Sequence, residues 1–416
     1  MQITHQNLLN LAVWVGEEFS LDSTRRVLQY STINFDASVL DIFPTLLSGA
    51  TLCFPSKVQR LSESLLAEFC ERHQVEQAFL PPALLAVLNA ERFPTLTTIL
   101  TGGESCSPAT IHAWLSGRRV YNLYGPTECT VLISFKRMQS DTGQKNIGQA
   151  ISNVRLHVLD EHMRRAQRGE LHAAGLCVSP GYIGDAMTTA RKFINHPLVD
   201  ESVLYKTGDI VEVDSAGDLH FIGRVDRQVK VRGYRIELEE IEGALMNLGY
   251  TQAAVKVTPE GDMMAYMSPP TGQPIAALRD RLAVSLSSYK IPQFLVEMDR
   301  LPIKPSGKVA YDMLPALQSS TIPSLVTPQP EQDNDYAQIF ALWAQALNQP
   351  LATLHPDSNF RDLGGSSLNI VHLLSNIETQ FGVRIPFLNF LHNPTPSFLL
   401  SVLRSRQHEY TISSDT

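Results

Sequence analysis

Residues 317–332 of this 416-residue chain are rich in Ser, Thr, Pro and Gln and show neither helical nor strand period. Such a segment reads as an extended, semi-flexible linker, so the chain on its two sides must build separate cores. Before it, residues 1–225 alternate strand-like apolar runs with helical patterns, as where Thr98-Ile99-Leu100-Thr101 leads into Gly102-Gly103, a buried strand ending in a tight loop. That alternation predicts an α/β fold. Residues 226–316 predict a compact α+β unit: an alternating stretch from Gln228 to Arg232, a helix over Glu239 to Leu248, strands near Ala253 to Val257 and Met263 to Met267, and a helix near Ile275 to Leu286. After it, residues 333–407 hold at least three amphipathic helical patterns, which fit a small helical bundle, and residues 408–416 read as a polar tail.

Bulk properties remove several classes of function. A hydrophobic content of 44% is that of a soluble globular protein with room for more than one core. No apolar run approaches bilayer length, and MQITHQNLLNLAVWV lacks the basic start of a secretory signal, so a cytoplasmic protein without a membrane partner is expected. The formal charge of -8 and the lack of a basic cluster argue against nucleic acid. Five cysteines, Cys53, Cys70, Cys106, Cys129 and Cys177, show no paired spacing and are expected as core thiols. The twelve histidines show no metal-binding spacing.

Phe360 to Leu368 reads FRDLGGSSL and precedes an apolar-periodic run of Leu368, Val371, Leu374 and Ile377. By itself this is a loop ending at a helix N-terminus with an exposed serine hydroxyl, or simply a Gly-Ser turn capping a helix. It resembles the attachment site of peptidyl carrier (thiolation) domains in nonribosomal peptide synthetases, through Leu363, Gly364, Gly365, Ser366 and Ser367. The resemblance implies that a phosphopantetheinyl transferase places 4'-phosphopantetheine on Ser367. Ser366 departs from the His or Asp usual before the modified serine.

Six motifs upstream resemble, in order, the adenylation domains of the same synthetases, members of the ANL adenylate-forming superfamily. They are FDAS at Phe35, NLYGPTE at Asn122, GELHAAGLCVSPGY at Gly169, YKTGD at Tyr205, GRVDRQVKVRGYRIELEEIE at Gly223 and PSGK at Pro305. The resemblance implies the C-terminal part of an adenylating large subdomain, then a small lid subdomain and the carrier. The implied reaction is attack of a carboxylate on the α-phosphate of ATP, for which a lysine and Mg2+ suit the growing charge. Lys308 would bridge the carboxylate and phosphoryl oxygens, Glu128 would help hold Mg2+, and Lys230 would act from the lid face Lys230 to Arg235 in the second step. ATP or AMP would meet Gly102, Gly103, Asn122, Tyr124, Gly125 and Thr127, with Tyr124 stacked on adenine and Asp209 and Arg224 on the ribose. Asp226 matches the hinge about which the lid turns. Pro180 and Lys290 stand where the family often has Arg and Met.

By the same resemblance Asp36 pairs with the α-amine of an amino acid, and the pocket positions are Ala37, Leu40, Phe79, Leu100, Gly102, Leu123, Val131 and Leu132. An apolar wall gives no partner to a polar side chain, so leucine, isoleucine or valine is expected, with phenylalanine behind. The family's Gly- and Ser/Thr-rich phosphate loop should lie just before Thr4 and has no counterpart after Met1. The expectation is therefore an amino-acid adenylating ligase that needs an N-terminal adenylation fragment or neighbouring synthetase domains, or else a carrier or partner protein without turnover of its own. A stand-alone acyl-CoA ligase is weakened by Asp36 and by the fused carrier.

Overall fold

The computed structural model describes residues 1–195, 203–231, 234–258, 262–304, 309–315, 334–347, 354–360, 363, 365 and 367–413. They form two compact units, Met1–Ser56 with Leu66–Arg235, and Lys57–Leu65 with Ile236–Thr416. The boundary falls at Arg235 rather than at residue 225, because Arg224, Asp226, Lys230 and Arg235 all engage side chains of the first unit, as described below.

The first unit is built on one 12-stranded sheet. Its strands β1 (Arg26–Leu28), β2 (Thr51–Cys53), β3 (Gln77–Phe79), β4 (Thr98–Gly102) and β5 (Arg119–Tyr124) run parallel in the order β2-β1-β3-β4-β5. Parallel neighbours need crossover connections. The helices Ala37–Leu47, Glu63–Arg72 and Pro108–Leu115 lie in three of them. Strands covered on both faces should be apolar throughout, and every residue of β3 and β4 is buried. Next come β6 (Ser134–Arg137), β7 (Asn146–Ala150), β8 (Val154–Leu159), β9 (Arg168–Gly175), β10 (Phe193–Ile194), β11 (Leu204–Val213) and β12 (Leu219–Arg224). These continue the sheet as β6-β7-β12-β11-β9-β8, with β10 on β11, and the strand pairings from β5 onward are antiparallel.

The N-terminal helix His5–Glu18 begins with a reciprocal capping box: Asn7 N–H donates to Thr4 Oγ1 at 3.1 Å, and Thr4 N–H donates to Asn7 Oδ1 at 2.9 Å. The inner face of this helix buries Leu11, Trp14 and Val15, and Trp14 meets Phe19 and Phe135 edge-on at 5.7 and 4.7 Å. Its other face leaves Leu9 and Val13 exposed, and the adjoining helix Ala37–Leu47 exposes Leu46 and Leu47. The five cysteines are all buried and free. No helix among the described residues is long and apolar enough to cross a membrane.

A two-stranded ribbon, β13 (Val229–Val231) with β14 (Tyr234–Ile236), carries the chain from the first unit to the second. There β15 (Gln252–Val257) pairs antiparallel with β16 (Met263–Ser268), which pairs in parallel with β17 (Phe294–Glu297). The flanking helices are Leu238–Asn247 and Ile275–Ser285, close to their expected spans. The linker 317–332 lies outside the described residues.

Four helices follow among the described residues: Asn334–Leu347, Ser367–Phe381, Phe387–His392 and Pro396–Ser413. Their largely aliphatic core holds an aromatic cluster, with Trp343 edge-on to Phe360 at 4.9 Å and to Phe390 at 6.2 Å. The last helix corrects one expectation, since residues 408–413 continue it instead of forming a tail. Arg404 to Ser413 contains no Gly or Pro to stop it. Trp343 is fully buried, so Trp343→Ala is expected to destabilise this bundle by about 3–5 kcal/mol. Urea denaturation of the full chain, followed by proteolysis within 334–413, should show this bundle opening first; an unshifted midpoint would contradict the assigned core.

Candidate active site and carrier attachment site

The centre of the first unit's site is the Asp209 carboxylate, near the middle of β11 and 6% exposed. One of its oxygens accepts the Tyr124 hydroxyl from the end of β5, and the other accepts Arg224 Nη1 from the end of β12. Arg224 then turns its remaining edge to Asp226, donating from Nε at 2.6 Å and from Nη2 at 2.8 Å in a bidentate fork. Burial, and then the Asp209 charge beside it, pushes the Tyr124 phenol well above its ordinary range, so it is a fixed donor. The Lys230 ammonium stands 5.7 Å from the Tyr124 ring centre. Burial lowers the Lys230 pKa against the opposing pull of Asp209 and Asp36.

Bare backbone is needed beside this network. A Cβ on Gly102 would lie 2.1 Å from the Leu123 carbonyl oxygen, so strands β4 and β5 approach closely only because the residue is glycine. Gly103, Asn122, Tyr124, Asp209, Arg224 and Lys230 border a cavity of about 440 Å3, which falls in the range of small-ligand sites. Asn122 is fixed by donating from Nδ2 to the Asn146 carbonyl at 2.8 Å.

A second cavity, of about 90 Å3, shares Gly103, Tyr124 and Asp209 with the first. Ala37, Leu40, Phe79, Gly102, Leu123, Gly125 and Val131 are in its wall, with Asp36, Thr127 and Arg235 among its polar groups. The Asp36 carboxylate accepts a hydrogen bond from the Thr127 hydroxyl. Val131 has φ +72°, and the N–H of Leu132 donates to the Thr130 carbonyl at 2.9 Å, which makes Val131 the centre of a γ-turn. A β-branched residue rarely sits there, and strain of this kind clusters at ligand-binding walls. Leu100 and Leu132 are 2% and 1% exposed and belong to the hydrophobic core rather than to the cavity wall.

Glu128 is 5% exposed, and both of its oxygens are engaged. Oε1 accepts the Tyr182 hydroxyl at 2.6 Å and Oε2 accepts Arg235 Nη1 at 2.7 Å. Burial alone would raise this carboxyl; the Arg235 charge and the Tyr182 hydrogen bond outweigh it and hold the carboxyl below its ordinary range. Among the described residues no group of three or more His, Cys, Asp and Glu could hold a metal. In this arrangement the residues therefore do not fit a Mg2+ ion at Glu128, whose oxygens face a guanidinium and a phenol.

In the carrier region Ser367 is the first residue of a 15-residue helix. Gly365 N–H donates to the Phe360 carbonyl at 2.8 Å, and a Cβ on Gly365 would lie 2.1 Å from Phe360 Cδ1, so the loop can fold against the core only with glycine there. A glycine loop at a helix N-terminus suits a phosphate ester on Ser367. Lys308, Gly364 and Ser366 lie outside the described residues.

The family described as AMP-binding enzyme matches residues 1–183, and the one described as phosphopantetheine attachment site matches residues 337–403. The chain belongs to the adenylate-forming ANL superfamily, as an adenylation domain fused to a carrier domain. It is 35% identical over 415 residues to a probable non-canonical nonribosomal peptide synthetase, CymA, of Salinispora arenicola, a match covering 96% of this chain and 5% of that protein. It is also 31% identical over 400 residues to bacitracin synthase 3 of Bacillus licheniformis, covering 94% of this chain and 6% of that one. The chain thus spans only a small part of the length of these relatives. Among solved structures it resembles holo-PA1221, an NRPS protein containing adenylation and PCP domains bound to a vinylsulfonamide inhibitor, with TM-score 0.72 and 25% identity over 91% of this chain and 68% of that one. The Vibrio cholerae adenylation domain AlmE in complex with glycyl-adenosine-5'-phosphate gives TM-score 0.66 and 28% identity, over 74% of this chain and 61% of that one. Adenylating enzymes of this family use ATP and Mg2+, and the carrier's attachment site implies 4'-phosphopantetheine.

The structure brings two further residues to Glu128. Tyr182 ends the GELHAAGLCVSPGY motif and Arg235 closes a basic stretch, and neither position by itself points to Glu128, yet both close on it. No local signal marks them, because Tyr182 and Glu128 are 54 residues apart and Arg235 and Glu128 are 107 apart. For the nucleotide cavity, Arg224→Ala leaves a buried carboxylate short of its charged partner and is expected to cost about 3–5 kcal/mol. Tyr124→Phe removes a neutral donor from the same group and is expected to cost about 1–3 kcal/mol. Urea midpoints at unchanged slope measure both; equal losses would mean that the Asp209 and Arg224 charges are solvated.

Proposed function

We propose that this chain activates a free aliphatic α-amino acid as its aminoacyl adenylate with ATP and transfers it to the thiol of its own carrier, within a nonribosomal peptide synthetase. The observation that carries the reading is the Asp36 carboxylate at a cavity whose wall includes Ala37, Leu40, Phe79, Leu123 and Val131 and which adjoins the larger, nucleotide-sized one. A carboxylate there binds an ammonium group by charge, and the branched wall behind it accepts a hydrocarbon side chain without unpaired polar groups. Leucine, isoleucine and valine fit that description, with Lys308 assigned to the substrate carboxylate by its place in PSGK. Tyr124, Asp209 and Arg224 would hold the nucleotide's base and ribose, Asp226 would be the hinge, and Lys230 would serve the second step. Bound phosphopantetheine supplies the thiol that accepts the activated acyl group; Ser367 would carry it, after modification by a phosphopantetheinyl transferase.

A second reading draws on the exposed apolar residues Leu9, Val13, Leu46 and Leu47 and on β2, which pairs only with β1 among the described strands. An uncovered apolar helix face and an open sheet edge suit a packed neighbour. The large sheet would then work with a further adenylation segment or a neighbouring synthetase domain laid on that face, and without one the chain would serve as a carrier alone.

Amino-acid-dependent exchange of pyrophosphate into ATP separates these readings, run with the chain alone and with a polypeptide carrying the family's phosphate loop. The expected outcome is exchange with leucine, isoleucine or valine well above that with their des-amino analogues, and loss of most of that preference, at least about tenfold, in Asp36→Ala. Preference for a charged amino acid or an aryl acid would refute the substrate assignment; no exchange in either mixture would favour the carrier-only reading. Independently, intact mass after treatment with a phosphopantetheinyl transferase should show one added group that Ser367→Ala abolishes. Modification that persists in Ser367→Ala would move the site.

A further inference from the structure

The stretch Lys57–Leu65 lies in chain order within the crossover from β2 to β3, yet it packs as part of the second unit. Its neighbour there is the carrier region. Leu61 packs against the core of the helical bundle. Glu63 and Ser64, the first two residues of the helix Glu63–Arg72, are 6% and 7% exposed. A carboxylate at a helix start ordinarily stays in solvent, and a buried one needs hydrogen-bond donors.

The helix that begins at Ser367 supplies them. Ser375 Oγ donates to Glu63 Oε2 at 2.6 Å, across 312 residues of sequence. Ser64 Oγ donates to Glu378 Oε2 at 2.9 Å and accepts from Arg384 Nη2 at 2.6 Å, while Arg384 Nε donates to Glu378 Oε1 at 3.0 Å. Hydroxyl, carboxylate and guanidinium thus close a ring in which Ser64 both donates and accepts. Ser375 and Glu378 are three residues apart and share one helix face. His372, three residues before Ser375, lies on that face too: burial keeps its pKa below the ordinary value, against the opposing pull of the Glu63 charge.

Each group of the segment therefore meets its complement, Leu61 an apolar core, Glu63 a hydroxyl and Ser64 an ion pair. A carrier with an aliphatic residue at 375 would leave Glu63 short of a donor, and one with an acid at 384 would set two carboxylates side by side. We propose that Lys57–Leu65 is the docking element for this chain's own carrier, that it recognises Ser375 and the Glu378–Arg384 pair, and that loading of the arm depends on it. The part in loading rests on the adenylating reading given above; the contact itself does not. No covalent step is added, since docking only raises the fraction of carriers held on the chain that activates the amino acid.

Amide hydrogen exchange of the full chain, read by mass spectrometry on peptides covering 57–65, tests the contact. Arg384→Ala and Ser375→Ala are expected to speed exchange in that segment by about tenfold, the equivalent of one hydrogen bond to a charged group. Ser375→Thr, which keeps the hydroxyl, and Ser401→Ala, which removes a hydroxyl bonded within its own helix, should leave it unchanged. Circular dichroism melts establish that each variant is folded. Thioester loading tests the role: with the phosphate-loop polypeptide present, Arg384→Ala should slow single-turnover loading of the phosphopantetheine-bearing chain at least about tenfold, with pyrophosphate exchange unchanged. Arg384→Glu should slow it further. Unchanged hydrogen exchange at 57–65 in both alanine variants would overturn the docking element. Loading by Arg384→Ala as fast as by the unsubstituted chain, alongside normal pyrophosphate exchange, would overturn its part in loading. No pyrophosphate exchange in any mixture would instead remove the adenylating reading, and hydrogen exchange would still decide the contact.

Discussion

The Asp209 carboxylate joins the two halves of the large sheet. Tyr124 reaches it from the last parallel strand, Arg224 from an antiparallel one, and Arg224 passes the connection on to Asp226 and the chain leading to β13. A buried carboxylate tolerates no vacancy among its donors, so this single group fixes the ends of β5 and β12 against the middle of β11. The nucleotide-sized cavity lies against this junction. The apolar cavity adjoins it because the two share the Tyr124 and Asp209 walls.

Charge is balanced locally in this unit. Asp209 faces Arg224, Glu128 faces Arg235, and Asp36 is held by the neutral Thr127 hydroxyl. Of these three carboxylates Asp36 is the one whose hydrogen-bond donor is uncharged. In the proposed reading an ammonium group entering the cavity would meet a carboxylate that the Thr127 hydroxyl orients, with the Lys230 charge acting on it as well. Glu128 stands at the other extreme, fully compensated, and any cation it receives must displace a partner.

Much of the fold is legible in the sequence. The all-buried β4 and the glycines after it follow from Thr98-Ile99-Leu100-Thr101-Gly102, and the helices Leu238–Asn247 and Ile275–Ser285 from their apolar period. The strands β1, β2 and β3 have three residues each, too few for any period to declare itself, and β17 escapes notice for the same reason at four residues. Within the site, motif order brings Tyr124, Asp209 and Arg224 to one place, where the structure has them in contact. It does not tell which wall residues face the cavity. Val131 lines the cavity while its neighbour Leu132 is buried in the core, and the positive φ at Val131 is a backbone conformation that a valine gives no reason to expect. The Glu128–Arg235 pair is invisible in the sequence because ion pairs across 107 residues depend on tertiary packing alone.

The most direct measurement of the central claim is the intact mass of the phosphopantetheine-bearing chain after incubation with ATP, Mg2+ and single amino acids, with a polypeptide that carries the family's phosphate loop present. One aminoacyl group is expected, as a hydroxylamine-labile thioester on the phosphopantetheine arm carried by Ser367, with leucine, isoleucine or valine, and none with the corresponding des-amino acids. Loading of a des-amino acid as readily as of its amino acid, or no loading by any amino acid in a mixture that exchanges pyrophosphate, would contradict it.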